Sequence, residues 1–273
     1  MGRKLRLDKI LLLRGIFNSR SKAQDAIKKG VVIVDGKKIT KGGVYIEPDV
    51  EINLIESNNF VGRGAEKLKK VIETFNIDIN NKVCLDIGAG TGGFTQVLLF
   101  YGAKKVYAVD VGENIFDKNL KQDKRVILKE KINARYLTEK EVPEIVDIIT
   151  HDTSFISSKK IIIISKNFLK YNGDYILLIK PQFELDKNLI KNGIVDDYNL
   201  HVKIVKEMLD FVKNEDFHPI GLIPSPIKGK DGNIEYLLYM KKINSLIEFS
   251  SEELAEKVVS EAKRSFYEDR NFV

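Results

Sequence analysis

The stretch VCLDIGAGTGGF, residues 83–94, decides the fold of this chain. Its first five residues are apolar apart from one aspartate, which predicts a buried strand. Gly88, Gly90 and Gly93 follow with the spacing G-x-G-x-x-G, and the residues after them predict a helix. Asp110 ends the next apolar run, where a carboxylate can accept hydrogen bonds from a ribose diol. This order of strand, glycine loop, helix and carboxylate predicts a ligand site at the carboxyl ends of parallel strands.

From residue 65 onward, the chain alternates helical and strand patterns. Helices are predicted at 65–75, 94–101 and 200–212, and a tail helix begins at the capping-box spacing of Ser250 and Glu253. Further strands are predicted at 106–110, 126–128, 146–149, 175–179, 220–223 and 234–240. The pattern is typical of a doubly wound, Rossmann-like α/β sheet, and it predicts one domain over residues 65–273.

The first 59 residues predict a second, smaller domain. Two helices, at 8–14 and from about residue 19 to 30, precede a hairpin turn at 35–36 and a strand pair within 44–54. This is a compact α+β module. Residues 60–64, which include two glycines, are predicted to be the linker between the domains.

The two predicted domains differ in charge. Residues 1–60 carry 12 Lys and Arg against 7 Asp and Glu, whereas the rest of the chain carries 33 against 32. A basic module joined to a neutral domain indicates a polyanion partner, and a folded basic segment favours nucleic acid. The candidate phosphate contacts in this module are Arg3, Lys4, Arg6, Arg20, Lys22 and Lys41.

Composition excludes several classes of protein. With 43% hydrophobic and 31% charged residues, the chain is ordinary for a folded globular protein. Its apolar runs are far shorter than the roughly 20 residues that span a bilayer, and its first residues make a poor signal peptide. Cys84 is the only cysteine, which excludes an intrachain disulfide and a cysteine-based zinc site. We therefore expect a cytoplasmic protein without a metal, and no oligomer is predicted.

The glycine loop alone leaves two cofactor classes open. The same spacing serves a nicotinamide dinucleotide and S-adenosylmethionine. Asp86 lies two residues before the first glycine, and an acidic strand end suits the cationic amino group of S-adenosylmethionine. A dinucleotide would instead bring its pyrophosphate to the helix N-terminus, where added negative charge is unfavourable. The loop therefore favours S-adenosylmethionine and does not exclude a nicotinamide oxidoreductase.

Three charged side chains stand at the ends of predicted strands. Asp152 and Lys180 follow the strands that end near residues 149 and 179, so both should flank the bound cofactor. Glu235 lies within an apolar strand, where a buried carboxylate needs a partner.

Several sequence blocks together resemble the TlyA family. They are RGAEKL at 63–68, the DIGAGTGGF loop, NAR at 133–135, HDTSFIS at 151–157, KPQFE at 180–184 and GNIEY at 232–236, spread over roughly residues 3–241. The resemblance implies a 2′-O-methyltransferase of ribosomal RNA that uses S-adenosylmethionine. It also implies a catalytic domain of the FtsJ type and a front module like the RNA-binding domain of ribosomal protein S4. The substrate it implies is cytidine in 23S rRNA, with 16S rRNA as a second substrate.

The resemblance also implies roles for individual residues. The FtsJ-type catalytic tetrad falls on Lys67, Asp152, Lys180 and Glu235, with Lys180 as the base for the ribose hydroxyl and Asp152 orienting its amine. Glu66 stands where the family usually has a histidine. Arg63 is expected to bind RNA. Apart from the resemblance, Arg135 and Lys187 are expected to extend the basic RNA-binding surface of the first module. The cofactor is expected to contact Asp86, Gly88, Ala89, Gly90, Thr91, Gly92, Gly93, Phe94, Asp110, Val111, Asn133, Ala134 and Phe155.

Two further alternatives stay open at this point. Members of this family are often named hemolysins, and a membrane-active protein would explain that name. A non-catalytic RNA-binding protein with a vestigial second domain is the other alternative, although the complete tetrad argues against it.

Overall fold

A computed structural model describes residues 4–17, 19–28, 32–35, 37–41, 43–48, 50, 52–54, 60–186, 188, 190, 193–243 and 249–268. The chain divides into two compact units, Met1–Asn59 and Phe60–Val273. Residues 60–64, predicted as a linker, belong to the second unit. Phe60 packs against its core, and the Val61 N–H donates to Gln96 Oε1 at 2.8 Å.

The first unit contains two helices and two small sheets. Helices α1 (Leu7–Leu13) and α2 (Arg20–Lys28) pack together, and a three-stranded sheet has the order β3 (Lys37–Ile39), β2 (Val32–Val34), β5 (Ile52–Leu54). Strand β1 (Leu5–Arg6) pairs with β4 (Tyr45–Ile46). Two strands do form within residues 44–54, but the prediction that they pair with each other is wrong, because β4 and β5 belong to different sheets. The core of the unit is formed by Leu7, Leu11, Ala23, Ala26, Ile27, Val32 and Val34.

The described part of the second unit contains a seven-stranded sheet, which confirms the prediction of a Rossmann-like α/β fold. Its order is β11-β12-β10-β9-β6-β7-β8. Strands β6 to β10 run parallel, and β12 is antiparallel to both of its neighbours. The strands are β6 (Val83–Ile87), β7 (Lys105–Val109), β8 (Val126–Lys129), β9 (Val146–His151), β10 (Leu169–Ile179), β11 (Phe217–Pro224) and β12 (Tyr236–Lys242).

Helices cover both faces of this sheet. Helices α3 and α4 pack on one face with Leu68 and Leu98, and α8 and α9 pack on the other with Met208 and Val258. Ser250 caps α9 as predicted, because its Oγ accepts the Glu253 N–H at 3.2 Å. The helices are α3 (Gly64–Phe75), α4 (Gly93–Phe100), α5 (Lys118–Lys121), α6 (Lys159–Ser165), α7 (Pro181–Glu184), α8 (Tyr198–Asn214) and α9 (Ser251–Lys263).

The strand order fixes where a ligand site can form. The chain crosses from β6 to β7 in one direction and returns to β9 on the other side of β6. The loops after β6 and β9 therefore diverge and leave a crevice at the carboxyl ends of these strands. Within the described part of the chain, no helix combines the length and the apolar character that a membrane crossing requires.

Candidate active site

The glycine loop after β6 is held close to the next strands. The N–H groups of Gly88 and Ala89 donate to the Val109 carbonyl at 2.9 and 3.2 Å. Gly88 has a φ of +83°, and a Cβ at this position would lie 2.4 Å from the Asp152 carbonyl oxygen. Only glycine therefore allows the loop to pack against the turn that follows β9.

The loop lines an open cavity of about 1010 Å³ at the crevice. Most residues predicted to contact a cofactor lie on its wall: Gly88, Ala89, Gly90, Thr91, Gly93, Phe94, Asp110, Val111, Asn133, Ala134 and Phe155. Gly92 does not line the cavity; a Cβ there would meet Leu120 Cδ1 at 2.6 Å. Segments that follow β6, β7, β8, β9 and β10 at their carboxyl ends thus contribute to one cavity.

Asp110 follows β7 and is fixed by two backbone groups. Its Oδ2 accepts the Gly90 N–H at 2.8 Å, and its Oδ1 accepts the Gly112 N–H at 2.6 Å. Each carboxylate oxygen can accept a further hydrogen bond. Asp110 therefore both holds the glycine loop closed and keeps acceptor capacity on the cavity wall.

Asp86 is buried beneath the glycine loop and does not line the cavity, so its contact with the cofactor stays a prediction. Its side chain has no exposed surface and accepts hydrogen bonds from Thr95 Oγ1 at 2.6 Å and Thr150 Oγ1 at 2.9 Å. Burial raises the pKa of Asp86 to about 7, and the negative charge of Asp152 adds to this, whereas the two threonine hydroxyls oppose it. The residue braces β6 against α4 and β9 beneath the loop.

Lys180 and Asp152 form an ion pair on the cavity wall. Lys180 Nζ lies 2.5 Å from Asp152 Oδ1 and donates a hydrogen bond to Ser154 Oγ at 2.9 Å. Asp152 Oδ1 has no hydrogen-bond partner among the described residues, so its contact with Lys180 is a charge pair rather than a hydrogen bond. Lys180 is 9% exposed. One carboxylate and one hydroxyl therefore fix a largely buried amine that still faces the cavity.

Lys67 and Glu235 form a second ion pair, which does not line the cavity. Ile179 of β10 is paired with Tyr236 of β12, so the adjacent residues Lys180 and Glu235 leave the sheet at the same edge. Lys67, from the first turns of α3, donates to Glu235 Oε2 at 2.5 Å. Both side chains are buried, at 7% and 2% exposed, and neither lines the cavity. The structure thus brings the four tetrad positions to one end of the sheet as two separate pairs.

A buried hydrogen-bond chain supports the turn that carries Asp152. His151 bonds through Nδ1 to Tyr175 Oη and through Nε2 to Thr153 Oγ1, both at 2.9 Å. Burial lowers the pKa of His151 to about 3, so its imidazole is neutral at physiological pH. The Asp152 N–H donates to the Ile87 carbonyl at 2.9 Å, which ties the turn to β6.

Phe155 projects from the same turn into solvent. It is 90% exposed and has a φ of +64°, and its ring centroid lies 5.0 Å from that of Phe183. Such exposure excludes a role in core packing. A large side chain in the left-handed region is strained, and strain of this kind concentrates at functional sites.

Glu184 was not predicted as a site residue, although it lies in the quoted KPQFE block. Its carboxylate accepts hydrogen bonds from Ser157 Oγ at 2.5 Å and from the Ser158 N–H at 2.7 Å. These bonds join the segment after β10 to the turn after β9. Ser154 was also missed, although it lies in the HDTSFIS block. Only the strand-end position of both blocks could have indicated these contacts.

The predicted RNA contacts differ in their surroundings. Lys4, Lys41 and Arg63 are exposed, and Arg63 lines the cavity. Arg6 and Arg20 are instead bound to the carboxylate of Asp8. Arg3 and the side chain of Lys22 lie outside the described residues, as does Lys187.

The sheet order, the glycine loop and the strand-end charges together define a Rossmann-like methyltransferase. The FtsJ-like methyltransferase family matches residues 60–242, and the S4 domain family matches residues 5–52. Hemolysin A of Brachyspira hyodysenteriae is 42% identical over 86% of this chain and 99% of its own length. The 16S/23S rRNA (cytidine-2′-O)-methyltransferase TlyA of Mycobacterium tuberculosis is 35% identical over 88% of this chain and 91% of its own.

A solved structure has the same architecture. A candidate hemolysin from Streptococcus thermophilus superposes with a TM-score of 0.74 at 34% identity, covering 99% of this chain and 100% of that one. The chain therefore belongs to the TlyA family of FtsJ-like methyltransferases that carry an S4 domain. This confirms the resemblance drawn from the sequence blocks.

Proposed function

We propose that this protein transfers the methyl group of S-adenosylmethionine to the 2′-hydroxyl of a cytidine in 23S ribosomal RNA. The observation that carries the proposal is the Lys180–Asp152 pair, which lies on the cavity wall beside the glycine loop. The named activities of relatives from Mycobacterium tuberculosis and Campylobacter jejuni support the substrate. Relatives named for 23S rRNA alone and for 16S and 23S rRNA both occur, so 16S rRNA is a second candidate substrate.

The residues on the cavity wall fit S-adenosylmethionine. The missing Cβ of Gly88 lets a ligand and the β9 turn approach the loop closely, and Asp110 offers acceptors for a ribose diol. When bound, the cofactor supplies a methyl group that its sulfonium already activates. Family membership favours this cofactor over a nicotinamide dinucleotide. Asp86 supports the glycine loop through its hydrogen bonds to Thr95 and Thr150.

The chain's own residues then act on the ribose hydroxyl. The Lys180 amine accepts the 2′-hydroxyl proton after it has released its own proton to solvent, and Asp152 and Ser154 hold that amine in place. Proton acceptance by a positioned base contributes ~10²–10⁴-fold in rate. The buried Lys67–Glu235 pair holds α3 against the start of β12 and so fixes the wall behind Lys180. The substrate oxygen must lie in line with the bond that breaks, so positioning of the ribose contributes to the rate in addition to the base.

The first unit supplies the contact with ribosomal RNA. It matches the S4 domain family and carries most of the net positive charge of the chain. Positive side chains bind the phosphate backbone of folded RNA without reading its sequence. Ribosomal RNA is therefore the partner that we propose, and the cytoplasm is where the protein would meet it.

The test of this assignment separates chemistry from cofactor binding. Lys180→Ala should lower single-turnover methyl transfer to rRNA by at least ~100-fold, whereas calorimetry should show S-adenosylmethionine binding within a few-fold of the parent protein. Lys160→Ala is the matched control, because Lys160 lines the same cavity but makes no ion pair with Asp152. Full activity of Lys180→Ala at saturating RNA would overturn the assignment of the base.

A further inference from the structure

The first unit contains a cluster of polar side chains around one carboxylate. Asp8, in the first turn of α1, has no exposed surface. Arg6 donates to it from both Nε and Nη2, at 3.1 and 3.0 Å. Arg20 donates from Nε at 3.0 Å, and Gln24 donates from Nε2 at 2.7 Å. Four hydrogen bonds from three side chains therefore converge on a single carboxylate.

Two of the donor side chains, Arg6 and Arg20, are themselves partly exposed to solvent. The hydrogen bonds from Arg6, more than any other factor, hold the pKa of Asp8 well below its ordinary value. Asp8 is consequently ionised throughout the physiological range. The cluster has two fixed positive charges and one negative charge, so it stays cationic as a whole.

Arg20 uses only part of its guanidinium in this cluster. Its Nε binds Asp8, and its terminal nitrogens make no hydrogen bond or ion pair with any other residue that the structure describes. The side chain of Arg20 is 59% exposed. A guanidinium held through Nε presents its two terminal nitrogens as a planar fork, the geometry that matches two oxygens of a phosphate.

We propose that Asp8 is a positioning residue that holds Arg6 and Arg20 as a fixed pair of guanidinium groups for the phosphates of folded RNA. This inference rests on the proposed function and deepens it, because it names an anchor and a geometry for RNA contact in the first unit. A flexible arginine loses side-chain entropy when it binds a phosphate. An arginine that is already held by a carboxylate has lost that freedom before RNA arrives.

The inference and simple charge attraction predict opposite results for Asp8→Asn. This substitution keeps the shape of the side chain and removes one negative charge from a basic surface. Charge attraction alone predicts tighter RNA binding, since the protein gains one net positive charge. The positioning role predicts weaker binding, because the amide no longer holds both guanidinium groups. Loss of one charge-assisted contact corresponds to about a tenfold rise in Kd.

The experiment measures binding of the full-length protein to 23S rRNA from a strain that lacks the gene, as a function of salt. Asp8→Asn should raise Kd about tenfold and reduce the slope of log Kd against log salt by roughly 0.7–0.9 per lost phosphate contact. Glu47→Gln is the matched control, because it removes the same charge from the same unit at a residue that forms no ion pair with a described residue. The control should bind as tightly as the parent protein or more tightly.

Arg20→Lys provides a second variant that keeps the net charge. Lysine lacks the Nε donor and the planar fork, so Kd should rise about fivefold by the positioning account and stay constant if charge alone matters. A thermal melt identifies any variant that does not fold. An unchanged or lower Kd for folded Asp8→Asn would overturn the inference, as would an unchanged Kd for Arg20→Lys. Failure of the parent protein to bind or methylate rRNA would instead refute the proposed function.

Discussion

The pH dependence of folding stability gives a test of the buried Asp86. Asp86→Asn keeps the shape of the side chain and removes its charge beneath the glycine loop. Burial is the main reason that the pKa of this carboxyl is raised to about 7 from the ordinary 3.8. The native protein therefore keeps a proton that the unfolded chain releases between about pH 4 and pH 7.

Proton linkage gives the sign and size of the effect of Asp86 on the free energy of unfolding. In that window the folded state binds more protons than the unfolded state, so the contribution of Asp86 to the free energy of unfolding decreases as pH rises. The contribution is constant above about pH 7, where both states are ionised. At 1.36 kcal/mol per pKa unit, the stability difference between Asp86→Asn and the parent should rise by about 3 kcal/mol from pH 5 to pH 8 in favour of the variant.

The assay is urea denaturation of both proteins at several pH values, with unfolding monitored by circular dichroism. Other titrating groups, such as the buried His151, affect both proteins alike and cancel in the difference. We expect the free energy of unfolding of the variant to increase steadily relative to that of the parent until about pH 7. Above that pH the difference between the two proteins should stay constant. A difference that does not change with pH would refute the account of Asp86 as a buried, proton-binding brace.

Two further substitutions test the site. Gly88→Ala would place a methyl group 2.4 Å from the Asp152 carbonyl oxygen at a positive φ, so we expect loss of methyl transfer together with a raised Kd for S-adenosylmethionine in calorimetry; normal values for both would contradict the packing described. Glu235→Gln leaves Lys67 buried without its counter-charge, which should cost about 3 kcal/mol of stability in a denaturant melt. Glu253→Gln, on the exposed first turn of α9, is its control and should melt within about 0.5 kcal/mol of the parent.

Local patterns predicted most of the α/β sheet. Some features depend only on residues that are close in sequence, so local sequence patterns predict them. These features are the glycine loop, its flanking strand and helix, and the capping serine at residue 250. The strand-end charges were predictable for a related reason. Parallel strands bring their carboxyl ends to one edge, which places Asp152 and Lys180 together once the topology is known.

Contacts between distant segments could not be predicted in this way. Asp86 was expected to face the cofactor because of its position before the first glycine. The position of its carboxylate depends on Thr150, which lies 64 residues away and whose hydroxyl donates a hydrogen bond to it. Likewise, nothing in the local sequence shows that Arg20 reaches back to Asp8, or that β4 pairs with β1. Such pairings depend on packing and not on propensity.

The most direct test of the central claim is transfer of tritiated methyl from S-adenosylmethionine to rRNA purified from a strain that lacks the gene. The labelled nucleotide is then mapped and its methylated position identified. We expect label on the 2′-oxygen of a cytidine in 23S rRNA, with at least ~100-fold less label when Lys180→Ala replaces the parent protein. Label on a base, or no transfer to rRNA or ribosomal subunits by the parent protein, would contradict it.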